Sequence, residues 1–232
     1  KGNDEQTFTF ADAYGKIKKH RKRYVSYTKD GEDNRVLKIG RVYRMPRPPQ
    51  QDSPQVDGLD NFYYESRTPG IGFQFQKGIH NVQSITGPNG ESRCPLIIIS
   101  STPRKAESEE TPWYDRYDSE HGYVKYYGDN KRPGDKVDSK KGNLILETIF
   151  NEKNRNKIPP VFIFMKNPTV ASNRSIRFLG LAVPEDYYLG KDNSLKAIWR
   201  TSNSERFINY EAHFTILNTK SINREWLSCL IN

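Results

Sequence analysis

Two apolar runs, PLIIISS at 95–101 and PPVFIFMK at 159–166, most constrain how this 232-residue chain can fold. Each is short, rich in β-branched or aromatic residues, and continuous rather than alternating. That is the pattern of a strand buried on both faces. Central strands need neighbours, and further short strand signals supply them: NFYYESR, GIGFQFQKGIH, GYVKYYG, NLILETIF, RFLGLAVP, LKAIWR and NYEAHFTIL. The intervening TGPNGES, TPRKAESEETP, GDNKRPGDKVDSKKGN and NEKNRNKIPP carry Gly, Pro, Asn or Asp where turns require them. So many short strands predict a mostly-β chain with a few helices, arranged as a sandwich or closed barrel.

The ends read differently. TFTFADAYGKIKKHRKRYVSY predicts a helix starting near Asp12, VLKIGRVYRM predicts a strand, and Pro46 to Pro54 is a Pro/Gln-rich loop. A soft boundary there divides a basic segment at 1–50, packing on or flanking the core, from a domain at 51–232. In the tail ILNTKSINREWLSCLIN, a Thr219 or Ser221 cap followed by Ile222, Trp226, Leu227 and Leu230 predicts a short docked helix.

Only 34% of residues are hydrophobic and the mean hydropathy is −0.88, but 14 Tyr, 11 Phe and 3 Trp can fill a core. With 37 Lys and Arg against 28 Asp and Glu, the formal charge is +9 and the pI about 9.4, which favours a polyanionic partner, nucleic acid first. A membrane surface would need a wide amphipathic helix, and none stands out. Cys94 and Cys229 fit neither a disulfide framework nor metal-ligand spacing, and His20, His80, His121 and His213 include no HxxxH pair, so no zinc is expected. Reduced thiols and the lack of a signal peptide or spanning run predict a cytoplasmic location.

The densest chemistry lies in TPWYDRYDSEHGYVKYYGDNK at 111–131, where rings, carboxylates and cations alternate before a Gly-Asp-Asn turn. Aromatic faces and one polar group matched to a base edge are what a protein needs to replace the stacking and pairing of an extruded base. The competing reading is a strand pair whose Tyr and Trp simply face a core.

Several blocks in order carry a resemblance: GFQFQKGIHN, GPNG, CPLIIISSTPRKAESEETPW, GYVKYYGDNK and FINYEAHFTIL. Over most of 35–230 the chain resembles the N-terminal domain of AspBHI-type, MspJI-like modification-dependent restriction endonucleases. Those domains are SRA-like, resembling SET-and-RING-associated modules that flip 5-methylcytosine out of duplex DNA. The resemblance implies an SRA-like twisted sheet or pseudo-barrel with peripheral helices, acting as the reader of a modification-dependent restriction system in bacterial defence. Its partner would be double-stranded DNA containing modified cytosine, bound by a monomer. Cleavage would belong to a separate Mg²⁺-dependent nuclease domain, with no cofactor for this chain.

By this reading Trp113 and Tyr127 sandwich the base, with Tyr126 or Tyr114 as substitute, and Asp129 accepts from the cytosine N4 amine. Ser100, Ser101 and Thr102 would wall the methyl group. Hydroxymethylcytosine is a further candidate ligand. Arg104, Lys105, Asn130, Lys131 and Arg132, with Lys136, Lys140 and Lys141, would hold the backbone. Gln83, Asn89 or Arg93, around the GPNG turn, would enter a groove or fill the gap left by the base. Alternatives are a nuclease using Asp129, Asp138 and Lys140, a non-flipping DNA reader, and an RNA-binding module.

Overall fold

The computed structural model describes residues 36–44, 62, 78–81, 85–86, 89–102, 113–167, 175–223, 226 and 230. In chain order the strands are β1 (Val36–Lys38), β2 (Val42–Arg44), β3 (Gly78–Asn81), β4 (Ile85–Thr86), β5 (Ser92–Arg93), β6 (Ile97–Ser101), β7 (Arg116–Asp118) and β8 (Tyr123–Tyr127). After helix α1 (Lys141–Asn151) come β9 (Val161–Lys166), β10 (Ser175–Pro184), β11 (Leu195–Ser202), β12 (Glu205–Ile216) and β13 (Ser221–Asn223).

The two continuous runs are central, as expected. β6 and β9 lie side by side in a sheet ordered β3-β6-β9-β10-β12-β8-β7, with β2 added to β10 and β11 to β12. All five residues of β6 are buried. The period of two divides them between the two faces of the sheet. Ile98, Phe162, Phe164, Ile176 and Phe178 join Leu37, Tyr43 and Phe62 in one core, while Ile97, Ile99, Val161 and Ile163 pack with α1 in the other.

A sandwich or closed barrel is not what forms. The sheet is a twisted, mixed, open one: β3 and β7 end the strand order without pairing to each other, and β6 and β9 pair in parallel, which needs a long crossover. That crossover carries β7, β8 and α1. The mostly-β, twisted-sheet class stands.

NLILETIF is helix rather than strand. Its Ile and Phe content suits either state, but Asn143, Ile145, Leu146, Ile149 and Phe150 are buried while Leu144 and Thr148 are exposed, a helical spacing. VLKIGRVYRM is two strands, broken where Gly40 takes φ 80°. The tail also differs: Ser221 caps nothing, because 221–223 pairs with β1 in the register Leu37 opposite Ile222. Beyond it Trp226 is helical, its carbonyl accepting from Leu230 N–H at 3.1 Å, and its ring stacks on Phe162. Strand pairing with a distant segment outweighs local capping there. The Asp12 helix and the Pro46–Pro54 loop lie outside the described residues. No described helix is long and apolar enough to cross a membrane.

Candidate nucleic-acid interface

The chemistry singled out in the sequence collects where β8 ends. Gly128 follows Tyr127, and its backbone donates to the Tyr210 carbonyl of β12 at 2.9 Å. A Cβ at Gly128 would lie 1.9 Å from Asn143 Oδ1, so only glycine lets β8 pass this close to α1.

Asn143, in the first turn of α1 and fully buried, organises the turn. Its Oδ1 accepts from Asp129 N–H at 2.9 Å, and its own N–H donates to Asp129 Oδ1 at 3.2 Å. Its Nδ2 donates to the Val137 carbonyl at 2.6 Å and to Asn209 Oδ1 at 3.0 Å, and Asn209 Nδ2 donates to the Gly128 carbonyl at 2.8 Å. Asn130 is also buried, its Nδ2 donating to the Ile208 carbonyl at 2.8 Å. The Gly-Asp-Asn turn is therefore clamped between a helix start and β12. Asp129 itself is exposed, and a Cβ at Gly142 would meet its Oδ2 at 2.6 Å.

A second carboxylate stands at the same end. Asp115, half-buried, accepts from Ser101 Oγ at 2.7 Å through Oδ2 and from Tyr127 N–H at 2.9 Å through Oδ1. It thus ties the end of β6 to the end of β8. Tyr126 is buried in the α1-side core, where burial first, then Asp115 and then Asp129, pushes its hydroxyl well above the usual tyrosine range. Both acids therefore act on one spot.

Tyr127 points to the opposite face, as strand alternation requires. Its ring is 3% exposed, and its hydroxyl donates to Glu211 Oε2 at 2.7 Å and accepts from Arg200 at 2.9 Å. The Lys125 ammonium and the Arg200 guanidinium lie 5.1 and 5.4 Å from its ring centre. Trp113 is half-buried, edge-on to Phe207 at 6.1 Å, with the Lys131 ammonium 4.5 Å from its ring centre. Beyond Glu211 the chain of bonds continues: Glu211 Oε1 meets His213 Nε2 at 2.9 Å, and His213 Nδ1 meets Tyr123 Oη at 2.7 Å. The His213 bond, aided by Tyr127 and opposed by burial, holds the Glu211 carboxyl at about 2, and burial pushes Tyr123 up to about 12.

Of the remaining expected residues, Ser100 and Ser101 are buried at the end of β6 and Thr102 is exposed beside them. Tyr114 is half-buried, and Lys131, Arg132, Lys136 and Lys141 are exposed. Lys140 pairs with Asp135 at 2.9 Å, and Asp138 is exposed. Asn89 is exposed and Arg93 half-buried at the β4–β5 turn. Arg104, Lys105 and Gln83 lie outside the described residues. Among the described residues no three His, Cys, Asp or Glu side chains are grouped to hold a metal ion.

Sequence reasoning missed Asp115, Asn143, Asn209 and the Glu211–Arg200 pair. Asp115 stood two residues from Trp113 inside the singled-out run and was legible as a polar partner. Asn143 and Asn209 gave no local signal, since their partners are 14 and 66 residues away.

Fold and site together define an open-sheet module of the kind found in modification-dependent restriction endonucleases. The family described as "Restriction endonuclease AspBHI N-terminal" matches residues 37–232, and the chain belongs to it. Among solved structures, the DNA recognition domain of the cytosine modification-dependent restriction endonuclease LpnPI is 32% identical, with TM-score 0.65, covering 90% of this chain and 87% of that one. The DNA modification-dependent restriction endonuclease AspBHI is 29% identical, TM-score 0.61, over 84% of this chain. MspJI restriction endonuclease, in complex with a 27-mer oligonucleotide, is 22% identical and shares the fold, with TM-score 0.68 over 86% of this chain. The chain spans 46% of AspBHI and 47% of MspJI. A comparison with curated proteins gives no match.

Proposed function

We propose that this chain is a cytoplasmic DNA-recognition module that reads 5-methylcytosine in duplex DNA, holding the flipped base at the joined ends of β6 and β8. The observation that carries the reading is Asp115, fixed between Ser101 and Tyr127 beside Trp113, in a chain of this family. A carboxylate accepts from the cytosine N4 amine, whereas thymine offers an acceptor at that edge.

Two acids are candidates for this role, and burial favours Asp115. A mismatched base opposite exposed Asp129 is tolerated because water replaces the lost partner. At half-buried Asp115, already fixed by Ser101 and the Tyr127 N–H, water replaces a lost base contact less readily, so the same mismatch costs more. Asp115 is accordingly the base-edge acceptor, and Asp129 shapes the turn that closes the site. Trp113 provides one stacking face once the exposed Lys131 side chain swings away, a displacement costing about 0.5–1 kcal/mol. Tyr127, buried with Lys125 and Arg200 against its ring and its hydroxyl anchored by Glu211, backs the site from behind. Stacking returns about 1–3 kcal/mol per base, enough to offset flipping.

The methyl group alone is worth about 0.8 kcal/mol, a factor near four, so strong preference needs a void penalty against cytosine at the Ser100–Ser101 wall. The Ser101 hydroxyl, already given to Asp115, retains a lone pair for hydroxymethylcytosine. In this reading the module binds and does not cut, and a separate nuclease domain would supply Mg²⁺-dependent cleavage.

The test is a fluorescence-anisotropy titration at a fixed ~0.1 M salt, since salt sets phosphate affinity, using one duplex with cytosine, 5-methylcytosine or 5-hydroxymethylcytosine at its centre. Wild type should prefer the modified duplexes, and Asp115→Asn should lose the preference while folded. Asp129→Asn keeps the Asn143 contact and should retain most of it. Loss only in Asp129→Asn would exchange the two roles. Equal binding of all three duplexes by wild type, or a preference for single strands, would overturn the reading.

A further inference from the structure

The outer half of the β11–β12 hairpin outruns the sheet. β11 pairs with β12 from Leu195 opposite Ala212 to Ser202 opposite Glu205, while β8 reaches only as far as Glu211 and β10 as far as Phe214. On its other edge β12 is met at Tyr210 by the Gly128 N–H and at Ile208 by the Asn130 side chain, so among the described residues only 205–207 are paired with β11 alone, ending in a tight turn in which Asn203 and Ser204 take φ of 49° and 65°. Projecting ribbons are costly in exposed surface unless something covers them.

This ribbon carries an unusual tip. Trp199 is 57% exposed, and the Arg206 guanidinium lies 5.1 Å from its ring centre. Ala197, Thr201 and Arg206 around it are exposed as well. On the opposite face, Arg200 bonds the Tyr127 hydroxyl, and behind, Asn130 holds the Ile208 carbonyl. The ribbon is therefore rigidly joined to the candidate base site while its Trp–Arg face looks outward.

We propose that this ribbon is a second DNA contact, laid in a groove of the same duplex on one side of the flipped base, with Trp199 and Arg206 as its contact residues. The inference rests on the base-reading proposal for the location of the duplex. A two-stranded ribbon fits the major groove. Charge is compatible: Arg206 is exposed at the tip beside exposed Glu205, and Lys131, Arg132 and Lys136 are exposed on the turn that Asn130 ties to β12, in a chain of net +9. Reach agrees too. Glu205 lies six residues beyond Glu211, the partner of Tyr127, or about 20 Å at ~3.4 Å per residue, the length of about six base-pair steps.

The experiment compares wild type, W199A, W199F and R206A on a duplex with ~12 base pairs either side of a central 5-methylcytosine, by anisotropy and hydroxyl-radical footprinting, at several salt concentrations. W199A should bind about tenfold more weakly, keep the wild-type ratio of modified to unmodified affinity, and lose protection about three to six base pairs to one side of the base. W199F should recover most of the affinity, and R206A should lower the salt slope by about one. Wild-type affinity and footprint in both W199A and R206A would overturn the ribbon contact, whatever else the face meets. If wild type fails to distinguish modified from unmodified DNA, the base-reading proposal falls, and the ribbon is then judged by the W199A effect on either duplex.

Discussion

Asn143→Ala tests whether the base-site end of the sheet is held by one buried amide. The substitution removes three side-chain hydrogen bonds: to Asp129 N–H, to the Val137 carbonyl and to Asn209 Oδ1. Asn209 Oδ1 keeps the Tyr210 N–H, but the Asp129 N–H and the Val137 carbonyl lose their partners. Orphaned groups at such part-buried positions cost about 1–3 kcal/mol each, and alanine returns about 0.6 kcal/mol of helix propensity, leaving a net loss of about 1.5–5.5 kcal/mol. For a chain of this size each kcal/mol moves Tm by about 2–4 °C, so thermal unfolding followed by circular dichroism should show a drop of roughly 3–20 °C. Selective binding measured well below the new Tm should weaken too, because the turn bearing Asp129 loses its clamp. A Tm change under about 2 °C would refute the claim that Asn143 organises this end, since water would then be replacing all of its bonds.

Other perturbations separate folding from recognition. Gly142→Ala sets a Cβ 2.6 Å from Asp129 Oδ2 and 2.8 Å from Ile79 Cγ2; rotating the exposed Asp129 relieves the first clash, so duplex affinity should fall several-fold with Tm lowered by only a few degrees. Glu211, held near 2 against its usual 4.5, stabilises the fold above pH 4.5 and loses that contribution as pH falls from 4.5 toward 2. Screening at this partly exposed site leaves about 1–2 kcal/mol, and Glu211→Gln should flatten that part of the acid-unfolding profile. Lys131→Gln should lower Tm by about 1–4 °C through the lost contact with Trp113 and reduce the salt dependence of duplex binding by about one unit of slope, measured by anisotropy across a salt series.

The local chemistry of single segments explains which features were legible in advance. PLIIISS and PPVFIFMK announce two-sided burial by composition alone, so their central place in the sheet was predictable. NLILETIF was misread because eight residues rich in Ile, Leu and Phe satisfy strand and helix preferences alike; α1 emerges only because the second core accepts a helical stripe. The Trp113–Lys131 run stood out as a candidate binding region by its residue types, but which of Asp115 and Asp129 is half-buried and held by hydrogen bonds did not. That difference depends on Ser101 coming within 2.7 Å of Asp115 from a strand 14 residues away.

By itself the sequence determined the strand-rich class, the basic character, the family and the stretch bearing the candidate site, because hydrophobic period, charge and motif are properties of contiguous residues. Tertiary structure alone decided that the sheet stays open, which acid is half-buried, which face each tyrosine takes and that the β11–β12 ribbon projects. Those outcomes depend on pairing and desolvation between residues distant in the chain, where a hydrogen bond's worth is set by how much water its partners have lost.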